Sequence, residues 1–179
     1  MFVVAIRRTG TEKPTPIAGL MHERTNLGQQ FICDIHYDGS RFQLRANTHE
    51  LTLIDTALSE AEIFRLRFGE PEGAVSKPLM LGLPIYSVVR NSEVVLSTHV
   101  RLLQRAGIKL KEDPRLLPEY FVYRYVSPPA TLFHGVNCIP IGSTLRFHFV
   151  GDQIKVDDLQ WTTVFNKSDQ PLSFAESAD

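Results

Sequence analysis

Residues 83–147 read LPIYSVVRNSEVVLSTHVRLLQRAGIKLKEDPRLLPEYFVYRYVSPPATLFHGVNCIPIGSTLRF, and 151–161 continue as GDQIKVDDLQW. Two β-branched runs, at 85–90 and 93–97, face each other across Asn91-Ser92 and predict a hairpin. Thr98 then stands as N-cap to a short helix through Gln104 and Arg105, stopped by Gly107. Asp113, with Pro114 at the first helical position, opens a second helix through Glu119 to about Tyr123. Pro118 removes an amide donor there, so the first turn should be irregular. Ser127-Pro128-Pro129 ends that helix, and 145–150 with 153–156 make a last hairpin across Gly151-Asp152.

Working outward, 2–6 is apolar and β-branched and reads as a buried strand. A loop at 10–16 follows, then a strand at 29–37, a hairpin turn at Asp38-Gly39 and a return strand at 41–45. Residues 48–56 predict another strand. Ser59 with Glu62 forms a capping box, so 59–68 is expected to be helical, and 69–78 to be loop because it holds two prolines and two glycines. Beyond Trp161 the periodicity fades into a polar, acidic stretch at 166–179. Strand pairs with two or three short helices imply an α+β layered domain.

The bulk properties narrow the function classes. The 179 residues suit one domain with its own core, 43% are hydrophobic and 22% charged, and the net charge is −1. That balance argues against nucleic-acid binding by bulk electrostatics. Arg7-Arg8 and Arg65/Arg67 read as solvated faces. Cys33 and Cys138 form no C-x-x-C pair and read as reduced thiols of a cytoplasmic protein. No run approaches a membrane span, and the N-terminus lacks signal-peptide order. None of the six histidines (22, 36, 49, 99, 134, 148) has a metal-site spacing. Cys33 beside His36 is the one pair that resembles a nucleophile and base; mid-strand in FICDIHY, it reads better as an inert buried thiol. Asp157-Asp158 and Glu70/Glu72 read as loop charges.

The order of pieces from Leu83 to Trp161 resembles the second half of the N-terminal domain of asparagine synthetase-like proteins. There a strand pair leads into a helix like STHVRLLQRAG, then a D-P-opened helix like DPRLLPEYFVYRYV. A signature P-x-T-L-F-x-G-V-x-x-I-P-x-G follows, here 129–142, and a final strand pair ends in a tryptophan. The resemblance covers roughly 80 residues; residues 1–82 match only in outline. It implies a class II glutamine amidotransferase (Ntn-hydrolase-type) domain over 1–161. The expected fold is α+β, a shortened sandwich of two antiparallel sheets flanked by helices, with 162–179 as a tail or linker towards a synthetase domain absent from this chain. The same residues also suit a purely structural reading, with Thr131-Leu132-Phe133 as an apolar anchor and Gly135 and Gly142 as turn positions.

The resemblance also defines what is missing. Relatives that hydrolyse glutamine use an N-terminal cysteine whose α-amino group serves as base; here Phe2 stands at that position, so no catalytic residue is expected. Their R-G-P-D clamp has no counterpart at His22-Glu23-Arg24-Thr25, and their N-G-E stretch is echoed only superficially by Asn47-Thr48-His49-Glu50. The S-G-G-x-D-S loop that binds ATP is absent too. Relatives without the cysteine include β-lactam and carbapenam synthetases and lasso-peptide cyclases, in which an amine of the substrate itself attacks the adenylated acyl group.

The resemblance thus implies a non-catalytic companion to an ATP-dependent amide-forming synthetase. No cofactor is expected on this chain, with ATP and Mg at the partner. The implied partner is a synthetase-domain protein, with a homo-oligomer also open and no nucleic acid or membrane. The expected interface comprises Tyr120, Tyr123, Tyr125, Thr131, Leu132, Phe133, Gly135 and Gly142. A free-standing binding or regulatory module for a peptide or small amide is the alternative.

Overall fold

The computed structural model describes residues 1–8, 16–27, 31–47, 49–56, 61–69, 72–78, 83–90, 92–150, 153–157 and 160–161. In chain order its elements are β1 (Phe2–Arg8), β2 (Met21–Leu27), β3 (Phe31–Tyr37), β4 (Phe42–Ala46), β5 (Glu50–Asp55), β6 (Ala61–Gly69) and β7 (Glu72–Ser76). They continue with β8 (Ile85–Arg90), β9 (Glu93–Ser97), α1 (Val100–Arg105), a 3-10 turn (Pro114–Leu116) and α2 (Leu117–Tyr123). The last are β10 (Val136–Ile139), β11 (Ser143–Val150), β12 (Gln153–Val156) and β13 (Gln160–Trp161). All strand pairings are antiparallel, in two sheets: β10-β8-β9-β1-β3-β2, and β12-β11-β7-β6-β5-β4 with β13 on β11.

The two sheets stack through one apolar core. Phe2, Val4 and Ile6 of β1 and Phe31, Cys33 and Ile35 of β3 meet Leu51, Leu53, Phe64, Leu66 and Phe147 of the second sheet. Alternate residues of each strand point inward, as the period of two requires. Each such side chain, fully buried, contributes on the order of 1.5–3 kcal/mol. Gly73 belongs to this packing: a Cβ there would lie 2.3 Å from the Phe147 ring.

A smaller apolar layer covers the outer face of the first sheet. Val3, Val88, Val95 and Val136 lie beneath Leu102 and Leu103 of α1, with Ile17 and Ile108 alongside. The outer face of the second sheet differs, since Arg65 and Arg67 of β6 pair there with Glu50 of β5. A charged ladder offers a helix no apolar stripe to pack on.

The α+β expectation, sheets flanked by helices, is therefore overturned. Of the described residues 56% are in strands and 12% in helices, an all-β sandwich with short helices on one side. The largest difference is at 59–68, expected as a helix, where 61–69 forms β6. Phe64, Leu66 and Phe68 alternate inward, and β5 and β7 supply hydrogen bonds on both edges; Ser59, the intended cap, lies outside the described residues. Within the expected loop at 69–78, 72–76 is β7, paired with β6 and β11.

The Asp38-Gly39 turn also connects differently from expectation. β3 and β4 belong to different sheets, so the turn is a corner between layers. The Asp38 carbonyl accepts from Arg41 N (3.1 Å) and Phe42 N (2.9 Å), while its carboxylate accepts from Ser40 N at 3.1 Å. The β8–β9 and β11–β12 hairpins stand as read. The polar edge strand β2 and the short β10 were not foreseen. Among the described residues no helix is long and apolar enough to cross a membrane. The segment 162–179, read as tail or linker, lies outside the described residues.

Candidate functional site

The helix after Asp113 forms as its sequence directs. The Asp113 carboxylate accepts from Arg115 N at 3.2 Å and grips the Arg115 guanidinium at 2.9 and 2.7 Å. The hydrogen bond from Arg115 holds Asp113 at a pKa of about 2. The start of the segment is irregular, as anticipated: a 3-10 turn over Pro114–Leu116 precedes α2, and Pro118 lies in the first turn of α2, where no amide donor is needed. At the other end Arg124 takes a left-handed φ of 57° and its N–H donates to Tyr120 O at 2.8 Å.

The chain then returns past α2. Ser127 N donates to the Glu119 carboxylate at 2.8 Å. Asp113 N donates to Leu132 O and His134 N to Lys111 O, each at 2.8 Å, pinning 132–134 beside 111–113. The Thr131 hydroxyl donates to Val136 O at 2.7 Å and accepts from Phe133 N at 3.2 Å. Cys138 N reaches Pro129 O at 2.8 Å.

This framework holds a ridge and a groove. No residue of α2 is buried. Phe121 is 64% exposed, Val122 69%, Tyr123 71% and Tyr125 54%. Behind the ridge lies a cavity of about 300 Å³ lined by Tyr86, Val100, Tyr120, Tyr125, Thr131, Leu132, Phe133 and Cys138, among others. Burial raises the pKa of both the Tyr86 phenol and the Cys138 thiol.

Of the eight residues named from sequence, Tyr120, Tyr125, Thr131, Leu132 and Phe133 line this one cavity. Tyr123 stands on the ridge beside it. Gly135 lines a neighbouring, more polar cavity of about 430 Å³ with Arg115 and His134. Gly142 is elsewhere, in the turn between β10 and β11, where its N–H donates to Lys77 O at 3.2 Å. Tyr86 and Val100 were not named from sequence; they are distant in the chain, and only the sheet and α1 bring them here.

The positions where chemistry was sought are otherwise engaged. Phe2 is fully buried against Phe42 and Phe64, and its N–H donates to Thr98 Oγ1 at 3.0 Å. That bond takes Thr98 from its expected capping role, and His99 caps α1 instead, through Nδ1 and Arg101 N at 3.3 Å. Asn47 caps the entry to β5, its carboxamide oxygen accepting from His49 N (2.8 Å) and Glu50 N (2.7 Å). Arg24 lies on β2 and binds Asp34 at 2.7 Å.

Asp34 is the centre of a dense polar cluster off the groove. It is wholly buried, with Arg7 at 3.0 Å and His22 at 3.1 Å besides Arg24. Burial alone would raise its pKa, yet the hydrogen bonds from Arg24 and His22 and the charge of Arg7 hold it below the usual carboxylate range. His36 stacks on His22 with ring centres 4.5 Å apart. Cys33 points the other way, into the core, because neighbouring strand positions face opposite sides. Burial pushes its thiol well above the ordinary range, so it is no partner to His36 and no nucleophile.

Lys77 is also buried, its amine donating to Ile139 O at 3.2 Å, and burial lowers its pKa. Of the acidic pairs, Asp157 meets His148 at 3.2 Å and Glu72 sits on β7, while Asp158 and Glu70 lie outside the described residues. Among the described residues no group of three His, Cys, Asp or Glu side chains could hold a metal ion. Comparison with protein-family models and with curated protein sequences found no match.

Proposed function

We propose that this chain is a non-catalytic relative of the glutaminase domain of asparagine synthetase-like proteins, serving as structural companion to an ATP-dependent amide-forming synthetase. The partner belongs to the class exemplified by β-lactam synthetases and lasso-peptide cyclases, and it supplies the ATP and Mg chemistry. The observation that carries this reading is a contrast of two positions. Phe2, where glutamine-hydrolysing relatives place their nucleophile, is sealed in the core and offers no reactive atom. Within the stretch that resembles the family, 83–161, residues 117–125 present an apolar ridge to their surroundings.

In this role the domain supports and shapes the partner's site, and ammonia is not needed because the substrate carries its own amine. The test is co-expression with a synthetase-domain protein encoded beside it, followed by size-exclusion chromatography and ATP-to-AMP turnover. Co-elution, with turnover lost when this chain is left out, is expected. A compact monomer that never co-elutes overturns the companion role. Thermal stabilisation of that monomer by a peptide or small amide would establish the independent binding module in its place.

A further inference from the structure

The ridge and groove have a charge setting as well as a shape. Over residues 99–137 the chain has six basic residues (Arg101, Arg105, Lys109, Lys111, Arg115, Arg124) against three acidic ones, although its overall charge is −1. Two of the three acids are occupied, Asp113 by Arg115 and Glu119 by the Ser127 amide. Arg101 follows Val100, which lines the groove, and Arg124 sits between Tyr123 and Tyr125. Both are exposed, and neither has an ion pair among the described residues. The three most exposed ridge aromatics, Phe121, Tyr123 and Tyr125, present on the order of 400 Å², by the 150–250 Å² typical of an aromatic residue. That is the scale of a functional patch.

We propose that this face docks an acidic, amphipathic segment of a protein partner, with its apolar side chains on the ridge and in the groove and its carboxylates against Arg101 and Arg124. The proposal rests on the reading of this face as an interface and adds the chemistry of what covers it. Helix-in-groove recognition has this form, with apolar anchors fixing the pose and charge selecting the partner. A second copy of the chain fits less well. A two-fold contact would bring the same net-basic face to both sides, leaving Arg101 and Arg124 opposite no complementary acidic patch. A bilayer fits less well too, since a flat surface leaves the groove empty and α2 has no basic polar face of its own.

The test is selection of phage-displayed random peptides of about 15 residues, four helical turns, on the immobilised full chain. The enriched peptides are expected to combine aliphatic or aromatic anchors at i, i+3 or i+4 and i+7 with Asp or Glu between them. Binding of a synthetic copy should fall roughly tenfold in Phe121→Ser. In Arg101→Glu/Arg124→Glu it should fall about threefold, and only at low salt. Equal melting temperatures establish that the variants are folded; should Phe121→Ser melt early, Tyr123→Ser gives the same reading.

Enrichment of peptides without acidic residues overturns the proposal, as does binding indifferent to these substitutions. So does a Phe121-dependent dimer in sedimentation, or Phe121-dependent flotation with anionic vesicles. The two readings fail separately. Selected acidic peptides that bind while no synthetase co-elutes remove the companion role and leave the docking chemistry. Co-elution with a synthetase whose affinity at low salt is unchanged by Arg101→Glu/Arg124→Glu removes the docking chemistry and leaves the companion role.

Discussion

Phe2 and Phe121 put the same side chain to opposite uses. Phe2 opens a central strand, touches Phe42 and Phe64 across the sandwich and has no exposed surface. Phe121 stands 64% exposed on a helix with no buried residue, among Val122, Tyr123 and Tyr125. The first is cohesion within the chain and the second is surface for something outside it. Burial separates the two, because residue type and hydrophobicity are identical. An apolar residue on a strand between two sheets becomes core, whereas an apolar run on an exposed helix remains unsatisfied until covered.

The sharpest attack on this contrast is Phe2→Ala, which should lower unfolding free energy by about 3–5 kcal/mol in chemical denaturation, the range for buried aromatic truncations. A loss below about 1 kcal/mol would mean that the β1 end is not sealed. Next, Asp34→Ala strips Arg7 and Arg24 of their shared carboxylate on the outer face of the first sheet. Breaking a buried pair this way costs roughly 3 kcal/mol. Gly73→Ala probes the sealed core from the second sheet, where the new methyl must displace Phe147; a cost of about 1–3 kcal/mol is expected.

Acid should act on the covered region before the ridge. Burial, helped by the nearby His22, lowers the His36 pKa, so the unfolded chain binds the proton more readily than the folded one. Stability due to neutral His36 is complete above about pH 6.5 and declines as pH falls through that value. Asp34, with a depressed pKa, adds a second loss only below about pH 4, as unfolded carboxylates protonate. Thermal melts at about pH 7.5, 5 and 3 check both steps (values chosen on either side of those ordinary pKa ranges), and His36→Phe should flatten the first. The smallest effect is Phe121→Ser, which should change stability by less than about 0.5 kcal/mol while abolishing partner co-elution. A large stability loss there would show that α2 is held by packing within the chain, ending the comparison.

The uneven success of the sequence reading follows from what local patterns encode. The β8–β9 hairpin, the Asp113-Pro114 start with its irregular first turn and the β11–β12 hairpin rest on turn and cap chemistry that acts within a few residues. The run LLPEYFVYRYV is mostly apolar, with Glu119 and Arg124 as its only charges, which already signals a helix needing cover. By contrast, the capping-box pattern at Ser59 and Glu62 suggested a helix where the edges of β5 and β7 impose a strand. The Asp38-Gly39 corner likewise looks like a hairpin until its two strands are assigned to different sheets.

By itself, then, the sequence determined the β8–β9 and β11–β12 hairpins, the Asp113 cap and the apolar character of 116–126, all properties of residue types and short spacings. Only the tertiary structure decided that the helices lie on one side of two stacked sheets, that 61–69 is a strand, and that Tyr86 and Val100 join Tyr120, Tyr125 and Phe133 around one groove. Those outcomes depend on backbone hydrogen bonds and burial between residues tens of positions apart, which no local pattern contains.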